Sequence, residues 1–122
     1  MTEYLITIPG DEAVWGARTE ADNRLVGDAH RAFVAALTVR GHRVSAGGEL
    51  TSLAEAKVVR RTNRGSLVTD GPYAEAAEQA GGFYLVESDD LDDLLAIVGE
   101  LVTAEPVVEV RPIIGRPSGV PG

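Results

Sequence analysis

Two stretches of the chain carry apolar residues at helical spacing, and each lies between runs with the composition of β-strands. The first stretch covers roughly residues 20 to 40. Thr19 stands before it as a hydroxyl cap, with Glu20 and Asp22 in the first turn, and Gly41 offers a C-cap. Leu25, Ala29, Ala32, Phe33, Ala36 and Leu37 fall on one face of it. The second stretch starts from Ser88 as N-cap and puts Leu91, Leu94, Leu95, Val98, Leu101 and Val102 in a stripe. Strands are expected at residues 3–8, 43–46, 56–61, 66–69, 82–87 and 107–111, from their β-branched and aromatic residues. Gly47-Gly48 is expected to end the second of these. Asn63-Arg64-Gly65 is turn chemistry, so residues 56–69 read as a hairpin. The order is βαβ, hairpin, βαβ. With right-handed crossovers this gives an α+β sandwich of ferredoxin-like type, with both helices on one face of the sheet.

The strands carry apolar side chains on both faces: Tyr4, Ile6, Ile8, Leu67, Phe83, Leu85 and Val108 include residues from each side. A sheet face without helices then needs a cover, and a homodimer is expected to supply it. A length of 122 residues suits a single domain over 1–122, with a Pro/Gly-rich tail from about residue 113. No cysteine is present, which excludes disulfides, thiolate metal sites and a cysteine nucleophile, and fits a reducing cytoplasm. No signal sequence is read at the N-terminus, and no apolar run reaches the ~18 residues that span a bilayer, so no membrane partner is expected. The net charge of −8 repels phosphate backbones, so nucleic acid is a poor partner. Lys57, Arg60, Arg61 and Arg64 form a basic cluster against that background. It is either a solvated hairpin face or a place where an anion or an acidic partner chain docks.

His30 lies at the edge of the apolar face of the first helix, in register with Val26, Phe33 and Leu37. Its side chain is the one suited to moving protons near neutral pH, and a carboxylate would orient its ring. Asp70 opens the turn Asp70-Gly71-Pro72-Tyr73 and is the natural partner; the bland alternative is that it only nucleates the turn. Tyr73 offers a hydroxyl at the mouth of a pocket or packs as a turn aromatic. Arg111 offers a clamp for a ligand carboxylate or a structural ion pair. Glu75 and Glu78 read as a solvated face before a metal pair, and Gly81-Gly82 as a bend or a close backbone approach. Trp15 is the one large apolar residue of the loop after the first strand. His42 reads as an exposed loop residue, and two histidines without cysteine make a metal site improbable.

The stretch "LVTDGPYAEAAEQAGGFYLVE" resembles the DGPF-motif branch of the YCII-related family. His30 followed by Phe33, Gly48-Glu49-Leu50 and the closing Val108-to-Pro112 segment match it in order. Two departures are visible: Tyr73 replaces the motif's Phe, and Ala77 stands where a Lys is common. The resemblance implies a ferredoxin-like fold, pairing as a dimeric α+β barrel, and a His–Asp pair, here His30 and Asp70, in a cleft between helix and sheet. Two functions are compatible with it. One is an enzyme without a cofactor that uses His30 and Asp70 for acid/base chemistry on a small organic molecule. The other is a dimer that binds a small ligand or another protein without turnover.

Overall fold

The structure, a computed structural model, describes residues 1–73 and 78–115, with the side chains of Glu78 and Gln79 excluded. Glu75, Ala77, the Glu75–Glu78 side-chain pair and the tail from residue 116 lie outside the described residues. The elements run β1 (Thr2–Asp11), α1 (Glu12–Gly16), α2 (Glu20–Val39), β2 (Arg43–Glu49), β3 (Lys57–Thr62), β4 (Gly65–Asp70), β5 (Glu78–Ser88), α3 (Leu91–Leu101) and β6 (Glu109–Pro112). Four strands form one antiparallel sheet in the order β2-β5-β1-β6, and β3 and β4 pair apart as a hairpin. This is the ferredoxin-like α+β arrangement expected from the periodicity.

Alternation along β1 decides which face is covered. Tyr4, Ile6 and Ile8 are buried, while Leu5 and Thr7 between them are half-buried. Register carries the pattern across: Tyr4 lies opposite Val86, and Ile6 opposite Tyr84 and Val110. Phe33 and Leu37 of α2 join Leu94, Ile97, Val98 and Leu101 of α3 over this face, in one core. Leu5 and Thr7 face the other way with Leu85 and Phe83.

Caps set the helix starts. Thr19 and Asp22 form a reciprocal capping box, with Asp22 N donating to Thr19 Oγ1 at 3.1 Å and Thr19 N to Asp22 Oδ2 at 2.9 Å. Gly41, at φ +88°, takes the left-handed turn after α2. The cap of α3 is Asp90, which accepts from Asp93 N, and not Ser88 as expected. Ser88 is occupied elsewhere: its hydroxyl lies 2.8 Å from His42 Nδ1 and accepts from Asp90 N. His42 is therefore no exposed loop residue. It is 6% exposed, and its Nε2 meets Asp93 Oδ2 at 2.7 Å. One ring joins the end of α2, the end of β5 and the first turn of α3.

Several strand ends differ from expectation, and β1 runs on through Pro9 and Gly10 to Asp11 instead of ending at residue 8. β2 continues through Gly47 and Gly48, because Gly47 lies opposite Tyr84, whose ring sits where a Cβ would be, 2.8 Å from it. β5 begins at Glu78 rather than Gly82, and β6 at Glu109 rather than Val107. The stripe on α3 is also narrower than its apolar residues suggest. Leu91, Leu95 and Val102 are exposed, and Ile97 takes their place in the core.

Candidate functional site

A cavity of about 810 Å³ opens beside the sheet, between α1, α2, the upper half of β5 and the segment from Glu49 to Leu53. Trp15 makes its wall. The residue lies on the short helix α1, not in a loop, and its indole rests on backbone: a Cβ on Gly10 or Gly81 would come within 2.3 Å of the ring. Gly81 thus serves the close approach read from the Gly-Gly pair. Leu50 N donates to Gly81 O at 2.8 Å, and Leu53 N to Glu12 Oε1 at 3.0 Å, which fasten the opposite rim. Ile8, Val26 and Leu53 give the interior an apolar lining.

Its polar end is a chain of four side chains. His30 Nδ1 lies 2.6 Å from the Tyr84 hydroxyl, and His30 Nε2 lies 3.4 Å from Glu105 Oε1. Arg18 donates to the same Glu105 oxygen at 3.5 Å. Each element contributes for a local reason. His30 sits one turn before Phe33 and Val34 on α2, where the apolar face gives way to solvent. Tyr84 shares the helix-facing parity of β5 with Val86, and its ring tilts against Phe33 at 5.2 Å between centroids and lies over Gly47. Glu105 follows α3 in a turn closed by its own N–H to Leu101 O, and is 3% exposed. Burial, and next the negative charge of Glu105, push the Tyr84 phenol above its ordinary value. Tyr84 therefore keeps its proton; the Glu105 carboxylate can only accept, so its contact requires Nε2–H, and in the neutral ring with that tautomer Nδ1 accepts from the Tyr84 hydroxyl.

Of the residues singled out from the sequence, His30 lines this cavity and Asp70, Tyr73 and Arg111 do not. Asp70 ends β4 on the hairpin, where its carboxylate accepts from Lys57 Nζ at 2.5 Å. Within one chain His30 and Asp70 are not brought together, because the hairpin stands off the body of the domain. Tyr73 is 74% exposed, with the Arg60 guanidinium 5.0 Å from its ring centroid. Arg111 lies opposite Leu5 on the face of the sheet without helices. Tyr84, Glu105, Arg18 and Trp15 are the members that residue patterns missed. A lone acid in the apolar run Leu101-Val-Thr-Ala-Glu-Pro-Val-Val108 was the one signal for Glu105. Arg18 carried none.

Among the described residues no three His, Asp or Glu side chains gather as a metal site, and no helix is long and apolar enough to cross a membrane. The YCII-related domain model matches residues 2–115. An uncharacterized protein of Rhizobium meliloti (strain 1021) is 31% identical over 123 residues, covering 97% of this chain and 98% of that protein.

Proposed function

The chain belongs to the YCII-related domain family, and from that premise we propose that it is a small enzyme whose own side chains move a proton on a small carbonyl compound. We place it in the DGPF-motif branch on its Asp70-Gly71-Pro72-Tyr73 and Gly81-Gly82-Phe83-Tyr84 segments. The observation that carries the reading is His30 held at a cavity between a protonated phenol and a buried carboxylate.

The geometry supports one sequence of events. A phenolic O–H rotates freely about its C–O bond. Turned from His30 Nδ1 onto a substrate carbonyl oxygen, the Tyr84 O–H polarises that carbonyl and frees the Nδ1 lone pair. Nδ1 then takes the proton from the adjacent carbon, and the electron pair passes to the oxygen as an enolate held by Tyr84. Glu105 faces the imidazolium that forms and steadies it, as a carboxylate does for a catalytic histidine. Return of the proton to another atom completes an isomerisation or expels a leaving group. Asp70 has no part in these steps within one chain.

Trp15 is the only tryptophan and lines the cavity, so its fluorescence reports occupancy. The test is a panel of small oxo acids and ketones in D₂O, screened by Trp15 quenching and then by NMR for deuterium at carbon. We expect exchange by the wild type, with a loss of about 10²-fold or more in His30→Ala. Equal exchange by the variant would sink the proposal. A second reading, a binder without turnover, is favoured by one fact: both ring nitrogens of His30 already have protein partners. Quenching of Trp15 with no exchange or product across the panel would establish it.

A further inference from the structure

We propose that the cavity takes an oxo acid, and that Arg18 holds a carboxylate set on a short chain away from the carbonyl that meets Tyr84. The inference rests on the proton-transfer reading of His30 for the place of the carbonyl; the carboxylate site stands on Arg18 itself. Arg18 comes just before Thr19, the cap of α2, whereas Glu105 meets His30 about three turns into that helix. Contact between Arg18 and Glu105 therefore lays the arginine stem along the cavity. The side chain is only 20% exposed. Among the described residues its one side-chain hydrogen bond is the 3.5 Å contact with Glu105. A guanidinium carries five N–H donors in a planar fork. No buried side-chain nitrogen or oxygen among the described residues lacks a partner, so the remaining donors open to the cavity that Arg18 lines. A carboxylate accepts from two such donors at once, and a charge-assisted pair of this kind is strong away from bulk water.

No other charged group of the lining offers the same. Arg31 is 73% exposed and paired with Asp28. Of the acids, Glu12 accepts from Leu53 N, Glu105 is buried against Arg18 and His30, and Glu49 lies exposed at the end of β2. The two ends of the site then set the spacing. The carbonyl belongs at Nδ1 of His30 and the Tyr84 hydroxyl, while Arg18 reaches the oxygen that faces Nε2, on the other flank of the ring. A carboxylate bonded to the carbonyl carbon stays at Tyr84 and leaves Arg18 unmet. One carried beyond the carbon that gives up its proton, as in a γ-oxo acid, reaches across the ring. An apolar group on the same molecule has Trp15, Ile8 and Leu53 to lie on.

The probe is benzoylpropionate, a γ-oxo acid with a phenyl group. It is compared with its methyl ester and with phenylpyruvate, whose carboxylate sits on the carbonyl carbon. Binding is read from Trp15 fluorescence and turnover from deuterium at carbon. We expect the wild type to bind the acid at least about tenfold more tightly than the ester or phenylpyruvate, a comparison that needs no variant. In Arg18→Gln the acid should fall to the level of the ester, and the ester should bind both proteins alike. Arg18→Lys keeps the charge without the fork and should retain only part of the preference. His30→Ala should lose exchange yet keep the preference for the acid, which separates the carboxylate site from the chemistry. An acid preference that needs Arg18, with no exchange by the wild type, would sink the reaction and uphold this site. Acid and ester bound alike, no binding of either, or a preference that survives Arg18→Gln would overturn the proposal, and exchange of the ester at full rate would leave the reaction standing without it.

Discussion

Gly81 leaves room for one aromatic ring, and that ring walls the cavity. A methyl group there would meet Trp15 Cη2 at 2.3 Å, so Gly81→Ala must displace the indole. We expect red-shifted Trp fluorescence and loss of ligand quenching with the fold retained. An unshifted spectrum would show that the ring does not rest there. Glu105 acts on Tyr84 by charge. Because burial is the larger cause of the raised phenol, Glu105→Gln should lower the Tyr84 ionisation only part of the way to its ordinary value. The readout is the ¹³Cζ shift of tyrosine against pH. A group raised in the folded state contributes fully below its unfolded value, near 10, and that contribution is lost as pH climbs through the folded one.

At the scale of elements, α2 and α3 test how local rules set the frame. Thr19→Ala removes one half of a capping box and should cost about 1 kcal/mol in denaturant unfolding. The same box holds Asp22 below the usual carboxylate range, first through the Thr19 backbone N–H and then its hydroxyl. Asp22→Asn should thus differ from the wild type most at neutral pH and converge with it as pH falls through that lowered value. Gly99 sits in α3, and a methyl group added to it would meet nothing within 4 Å, so Gly99→Ala should stabilise by about 0.5–1 kcal/mol. His42→Ala strips partners from the buried Ser88 hydroxyl and from Asp93, and should cost about 1–3 kcal/mol. The helices were legible from sequence because 3.6-residue spacing and caps are local signals. His42, the cap of α3 and the length of β2 were not. Each depends on a neighbour distant in the chain: Ser88 for His42, His42 on the Ser88 hydroxyl for the cap of α3, and the Tyr84 ring over Gly47 for the length of β2.

For the whole molecule, element order was enough to give the sheet, since few topologies satisfy two βαβ crossovers and a hairpin. The site was half legible. His30 announced itself by its place at the edge of an apolar stripe. Its partners did not, because Tyr84 and Glu105 lie 54 and 75 residues away and meet it only when β5 and the turn after α3 converge on α2. Asp70 was the more visible carboxylate in the chain, set off by Gly71 and Pro72, but the fold carries it out on the hairpin to Lys57.

The proton chain through His30 is the core of this account, and long-range ¹H–¹⁵N NMR of its ring tests it most directly. Spectra of the wild type should show the Nε2–H form, with Nδ1 accepting from Tyr84. Tyr84→Phe should shift the Nδ1 resonance, Glu105→Gln should shift Nε2, and Asp70→Asn should leave both where they are. A ring that responds to Asp70→Asn and ignores Tyr84→Phe and Glu105→Gln would contradict the account and return the aspartate of the hairpin to the site.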